Sequence, residues 1–192
     1  MDNIVAVCVE ACRATYDDTA PGVNVDDLRF TVSQQADDSM LVAFRGTTCL
    51  TNWLEDAESI PELTPRHHLG HGGFVNAYRK LLPAVTPFLA GGVVVTGHSL
   101  GGAIAVLFAE QLGCSVVTFG CPKVYFDNED PPALHHIRIV HQGDPVPDLP
   151  PFFYRHDCDP VILYDDDNLL EIHDHFIDGY AACIIKQEGG TT

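Results

Sequence analysis

Five consecutive residues, Gly97-His98-Ser99-Leu100-Gly101, carry the clearest chemical signal in the chain. They fit G-x-S-x-G, a sharp turn that presents a serine hydroxyl between the end of a strand and the start of a helix. Small residues are needed two positions either side of Ser99, because a side chain there would collide with the neighbouring strand and helix. The turn holds the serine in a strained conformation and aims the helix N-terminus at the place where negative charge develops during attack. Three fixed residues are a weak signal alone, and context strengthens it. Val93-Val94-Val95 reads as a buried strand, the apolar run from Ala103 onward reads as a helix on a sheet, and Gly102, Ala103 and Ala105 allow close contact between them.

A serine is a poor nucleophile at neutral pH, so the pattern requires a general base and a group to orient it. In elbows of this kind the acid follows the serine and the histidine comes last. Asp144 stands in Gly143-Asp144-Pro145-Val146-Pro147, just after an apolar strand, where two prolines stiffen the loop. Asp148 and the acidic run 165–167 read as loop and turn residues instead. Six histidines lie downstream: His135, His136, His141, His156, His173 and His175. The first two fall in a predicted strand, as satisfied strand histidines, and His141 precedes the acid. His173 and His175 flank Asp174 between a predicted strand and a helix, and on the residues alone both remain candidates for the base.

Elements that must position these groups follow from periodicity and turn chemistry. Helices are expected over 4–15, 51–58, 74–89 (broken or restarted at Pro83), 101–112 and 176–185. Strands are expected over 28–34 and 40–45, joined as a hairpin through Ala36-Asp37-Asp38-Ser39, and over 93–96, 115–119, 134–140, 161–164 and 169–172. No internal repeat or low-complexity linker interrupts the series, so 1–192 reads as one domain. This order implies an α/β architecture: a mixed sheet with a parallel centre, antiparallel additions and flanking helices.

Composition narrows the partners. Acidic residues outnumber basic ones 27 to 10, for a formal net charge of −17. Such a balance argues against nucleic-acid binding and against adsorption to anionic membranes, and leaves a neutral ester or neutral lipid interface as the compatible partner. No apolar run is long enough for an integral membrane segment. The opening MDNIVAVCVEAC reads as an amphipathic helix rather than a secretory leader, which implies a cytoplasmic protein, or a secreted one if a leader has been removed. Seven scattered cysteines read as reduced thiols. His67, His68 and His71 invite a metal reading, but no carboxylate or thiolate nearby in sequence completes a site.

An ordered set of segments resembles the class 3 lipase family. It comprises Ala43-Phe44-Arg45-Gly46-Thr47, Asn52-Trp53-Leu54-Glu55-Asp56, His71-Gly72-Gly73-Phe74 and residues 96–105. It continues through Thr118-Phe119-Gly120-Cys121-Pro122-Lys123-Val124, Gly143-Asp144-Pro145-Val146-Pro147, and His175 followed by Tyr180. The resemblance implies an α/β-hydrolase fold and a Ser99–His175–Asp144 triad, His175 being chosen over His173 by its spacing from the tyrosine. It also implies an oxyanion hole from the backbone amides of Thr47 and Leu100, with Arg45 as a brace between loops. Residues 48–60 correspond to a lid, with Trp53, Leu54 and Ile60 facing the site or lipid. The implied reaction is hydrolysis of acylglycerol esters through an acyl-enzyme, without metal or organic cofactor. A short-chain or feruloyl-type esterase, a phospholipase A1 and a non-catalytic interaction module are the alternatives. Short connections between the three triad positions, and the absence of the leader and disulfides of secreted fungal members, set this chain apart within that resemblance.

Overall fold

Alternating apolar residues build the centre of the molecule. The computed structural model describes residues 3–47, 60–89, 91–127, 130–164 and 175–189. Among these, seven strands form the main sheet in the order β1-β2-β3-β6-β7-β9-β11. They are β1 (Val23–Val25), β2 (Leu28–Gln34), β3 (Met40–Phe44), β6 (Val93–His98), β7 (Ser115–Phe119), β9 (His136–His141) and β11 (Pro160–Leu163). From β3 to β11 every neighbouring pair is parallel, and β1 and β2 are antiparallel additions. The hairpin turn is as its residues require: Asp38 has φ 64°, and the Asp37 carboxylate accepts from the Ser39 amide at 3.1 Å and hydroxyl at 2.6 Å.

Successive side chains leave opposite faces of the sheet and fill two cores. Phe30, Val42, Phe44, Val95 and Val116 pack against α2 (Gly72–Val85) and α3 (Leu100–Leu112). Leu41, Val117, Phe119, Ile139 and Leu163 pack against α1 (Asn3–Ala14) and α4 (Ile177–Gly189). Helix α3 is apolar all round because it lies between sheet and α2, with every residue from Gly101 to Glu110 buried. Phe108 on it stacks on Phe44 at 4.8 Å between ring centroids. Glu110 is fully buried, and its Oε1 accepts from the 64–68 loop, from the Thr64 hydroxyl at 2.6 Å and the Arg66 amide at 3.2 Å.

Two sequence expectations change here. Pro83 does not break α2, which runs unbroken to Val85 before a 3₁₀ turn, Thr86–Phe88. The missing N–H falls in the last turn, on a face where both Pro83 and Arg79, four residues earlier, are exposed. Four two-residue strands, β4 (Glu62–Leu63), β5 (Leu69–Gly70), β8 (Tyr125–Phe126) and β10 (Tyr154–Arg155), form a second sheet that periodicity did not suggest. The expected elements over 51–58 and 169–172 lie outside the described residues.

Parallel register makes the site. Phe44 pairs with Gly97, His98 with Phe119, and Phe119 with Ile139, so the carboxyl ends of β3, β6, β7 and β9 finish together. The segments carrying Gly46, Ser99, Gly120 and Asp144 all leave from that one edge.

Candidate active site

Ser99 joins β6 to α3 with φ 57° and ψ −129°, a conformation that side-chain-bearing residues rarely adopt. The flanking glycines show why the motif needs them. A Cβ on Gly97 would lie 2.1 Å from the Gly101 carbonyl oxygen, and one on Gly101 would lie 2.1 Å from the Phe44 carbonyl oxygen. The Ser99 amide donates to Phe119 O at 3.0 Å, and its carbonyl accepts from the Gly102 and Ala103 amides at 2.9 and 3.3 Å. The backbone of the elbow is thereby fixed while its buried Oγ has no hydrogen-bond partner.

Asp144 follows β9 as expected from its place after an apolar strand. Its carboxylate is buried and accepts three bonds. The Val146 amide donates to Oδ1 at 2.8 Å, while Tyr180 Oη at 2.6 Å and His175 Nδ1 at 2.8 Å donate to Oδ2. Since the carboxylate only accepts, Nδ1 of His175 carries the proton, and in the neutral ring Nε2 is left as the acceptor. That Nε2 is buried and has no hydrogen-bond partner. The acid and histidine named from sequence are thus together, whereas His173 lies outside the described residues. Tyr180 served in the sequence only to locate the histidine. Its hydroxyl also accepts from the His141 amide at 3.1 Å. Burial and the adjacent Asp144 charge hold that phenol well above its usual pKa, so it remains a donor.

Of the two residues expected to supply oxyanion amides, Leu100 opens α3, where the first amides of a helix have no intrahelical acceptor. Thr47 follows Gly46, and a Cβ on Gly46 would come 2.9 Å from Ser99 Cβ, which places this loop against the nucleophile. Arg45 acts as a brace, its guanidinium 3.0 Å from the Asp18 carboxylate. Of the residues assigned to the lid, Trp53 and Leu54 lie outside the described residues and Ile60 is 83% exposed.

The histidine group at 67–71 has a carboxylate neighbour after all, because Glu110 comes from α3, 42 residues beyond His68. His68 Nδ1 lies 3.0 Å from Glu110 Oε1, while His71 packs against Phe74 and Tyr154. Among the described residues, the group of ligand-type side chains close enough to share a metal is His136, Asp157 and Cys158, around β9 and the segment before β11. Sequence reasoning also passed over Tyr16 and His98. His98 Nε2 is 2.5 Å from the His175 carbonyl oxygen, and Tyr16 Oη is 2.6 Å from His98 Nδ1. The signal for His98 was its place inside the serine motif; for Tyr16 the sequence holds none.

Comparison with known proteins gives a consistent result. The family model for class 3 lipases matches residues 41–154. Lipase A of Sodiomyces alcalophilus is 31% identical over 167 residues, covering 60% of this chain and 40% of that protein. A secreted mono- and diacylglycerol lipase of Gibberella zeae is 29% identical over 161 residues, covering 58% and 40%. The chain therefore spans about 40% of the length of these curated relatives. Among solved structures, a Rhizomucor miehei lipase–propeptide complex superposes with a TM-score of 0.66 at 22% identity, over 90% of this chain and 76% of that one. A triacylglycerol lipase whose catalytic centre is formed by a serine protease triad gives 0.65 at 23%, over 90% and 92%. The shared fold is the α/β-hydrolase fold. With its parallel sheet, its serine elbow and a family match across more than half its length, the chain belongs to the class 3 lipase family.

Proposed function

We propose that this protein is a serine ester hydrolase of the lipase type, cleaving carboxylic esters of acylglycerols. Ser99 Oγ attacks the ester carbonyl while His175 Nε2 takes its proton, and Asp144 holds and stabilises the imidazolium. The Thr47 and Leu100 amides receive the oxyanion, a contribution of about 10²–10³ in rate for one such donor. Collapse expels the alcohol, protonated by His175, and leaves an acyl-enzyme that water opens by the same steps in reverse. The observation that carries this reading is the pair of unpartnered buried atoms, Ser99 Oγ and His175 Nε2. By contrast, both Asp144 carboxylate oxygens and His175 Nδ1 are engaged.

Substrate class rests on the relatives, two of which are named mono- and diacylglycerol lipases, and on a net charge compatible with a neutral lipid interface. Ser99 is 1% exposed, so substrate entry requires an opening, and the covering role for 48–60 belongs to this proposal. Among the described residues no helix is long and apolar enough to cross a membrane. Free thiols at Cys8, Cys12, Cys114, Cys121 and Cys158 support a reducing compartment such as the cytoplasm; the secreted alternative has the names of those two relatives on its side.

A fluorophosphonate probe tests the assignment: stoichiometric labelling is expected, together with its loss in Ser99→Ala. Folded protein that hydrolyses esters equally well as Ser99→Ala would end the proposal. Rates on p-nitrophenyl esters of rising chain length, above and below their solubility limits, test the substrate class. A lipase gains rate when the long-chain ester separates as an interface; a steady decline with chain length assigns a soluble esterase instead.

A further inference from the structure

Three segments must keep register for the proposed chemistry: the Gly46–Thr47 loop, the end of β6, and the loop bearing His175. A single line of hydrogen bonds, buried at its His98–His175 end and part-buried elsewhere, crosses all three. The Gly46 amide donates to Tyr16 Oη at 3.1 Å, Tyr16 Oη lies 2.6 Å from His98 Nδ1, and His98 Nε2 lies 2.5 Å from the His175 carbonyl oxygen.

The direction of this line is determined by what its end groups can do. A carbonyl only accepts, so His98 Nε2 must carry a hydrogen. In a neutral imidazole Nδ1 is then an acceptor, and the Tyr16 hydroxyl donates to it. Tyr16 Oη keeps a lone pair for the Gly46 amide. Every member is satisfied in one orientation only. Burial, with the neighbouring His175, pushes His98 down to about 3, and burial raises the Tyr16 phenol, so neither end reverses near neutral pH.

The packing is as specific as the bonding. The His98 ring lies 4.7 Å from the His175 ring, tilted by 33°, and 5.7 Å from the Tyr16 ring. A Cβ on Gly46 would sit 2.6 Å from Tyr16 Oη and 2.7 Å from the His98 carbonyl oxygen, so the loop rests directly on the pair. Asp144 orients the His175 ring through Nδ1, whereas His98 fixes the same residue's main chain. The two restraints do different work.

From this geometry we infer that Tyr16 and His98 are a positioning pair, locking the main chain of the base to the loop that carries the Thr47 amide. The pair touches no substrate and acts through His175 and Gly46, so the inference rests on the proposed triad. It gives the second residue of Gly97-His98-Ser99-Leu100-Gly101 a function of its own, separate from forming the turn.

Four variants assayed on a soluble short-chain p-nitrophenyl ester test it. Tyr16→Phe deletes one oxygen, and His98→Ala deletes the ring. Each is expected to lower kcat by about ten- to a hundredfold, with KM changed by less than about threefold, because small misplacements of reacting groups act on the chemical step. The double variant is expected to be no worse than the poorer single one, since both break the same line. His98→Gln offers an amide donor and an amide acceptor in place of Nε2–H and Nδ1, and should recover most of what His98→Ala loses. Unchanged kcat in Tyr16→Phe, multiplied losses in the double variant, or a Gln variant as poor as Ala in folded protein would each overturn the inference. Ser99→Ala separates the two levels. If it retains hydrolysis the triad reading fails; if it is inactive while Tyr16→Phe is indifferent, only the positioning pair fails.

Discussion

Among the described residues, two imidazole–carboxylate pairs have both side chains buried, and they differ in one atom's surroundings. At the end of the sheet, His175 Nδ1 meets Asp144 at 2.8 Å, and its Nε2 has no hydrogen-bond partner. At the start of β9, His136 Nδ1 meets both oxygens of Asp157 at 3.0 and 2.9 Å, and its Nε2 lies 2.8 Å from the Thr118 hydroxyl. The second group therefore also lines up a hydroxyl, an imidazole and a carboxylate. Yet Thr118 lies within a regular strand, fully buried, with no helix N-terminus ahead of it. Ser99 stands at positive φ at the start of α3. Three groups of the right kind are thus not sufficient. What sets the group proposed as reactive apart from the structural one is a strained backbone and a nitrogen left without its bond, both costly to stability.

The sharpest way to break this comparison is to make one change at both places. Asp144→Asn is expected to lower kcat by about 10⁴, because the amide no longer fixes the imidazole tautomer, while the chain remains folded. Asp157→Asn should leave ester hydrolysis within about twofold, as a change remote from the reacting atoms. It should cost about 1–3 kcal/mol through a poorly satisfied buried pair. Kinetics and thermal melts of the two proteins decide the matter. Equal kinetic damage from both would erase the distinction drawn between the pairs.

The sequence pointed to one pair and left the other unread, for physical reasons. Ser99 and Asp144 stood out because the elbow is local and the acid follows an apolar strand; chain order left His173 and His175 both open, and only the family resemblance favoured His175. The positions of β2, β3, β6 and β7 were legible because alternation and apolar runs report burial directly. The second sheet was not, since strands of two residues are shorter than any period that could reveal them. Nor was the line through Tyr16 and His98, a contact between single polar residues 82 positions apart that leaves no repeating pattern. Glu110 escaped for the same reason: one acid in an apolar helix says nothing about the loop 42 positions earlier that needs it. Pro83 was misjudged because sequence alone does not say that it falls on an exposed face in a helix's last turn.

A smaller effect concerns the histidines that meet carbonyls rather than carboxylates. His156 donates through Nε2 to Pro147 O at 2.8 Å, and burial followed by the Arg138 charge pushes it down to about 4. Its folded pKa lies below the unfolded value of 6.5, so its neutral form is kept in both states above that pH and stability there is unaffected. As pH falls from 6.5 toward 4, the unfolded chain takes up a proton that the folded one refuses, and stability is lost. The expected slope is roughly 1 kcal/mol per pH unit from this group. Urea unfolding at pH 7 and pH 4.5 measures it. Across that interval His156→Gln should remove about 2 kcal/mol of the difference, and an unchanged difference would remove His156 from the account.

The smallest prediction bears most directly on what distinguishes the two hydroxyls. If Ser99 stores backbone strain, relieving it should stabilise the protein even as it removes the nucleophile. Glycine tolerates φ 57° with ψ −129°, so Ser99→Gly releases strain of about 1–3 kcal/mol. It returns part of that as added freedom of the unfolded chain, about 0.4–1 kcal/mol. The net expectation is a gain of about 1 kcal/mol, or roughly 2–4 °C in Tm for a domain of this size. Thr118→Gly, placed within a strand and fully buried, removes a bonded hydroxyl and gains nothing from a relaxed φ, so its Tm should fall. Opposite signs at the two serine-like positions would locate strain where the chemistry is proposed. A loss at both would mean that the elbow is held without measurable cost, and that the unpartnered atoms alone set the two sites apart.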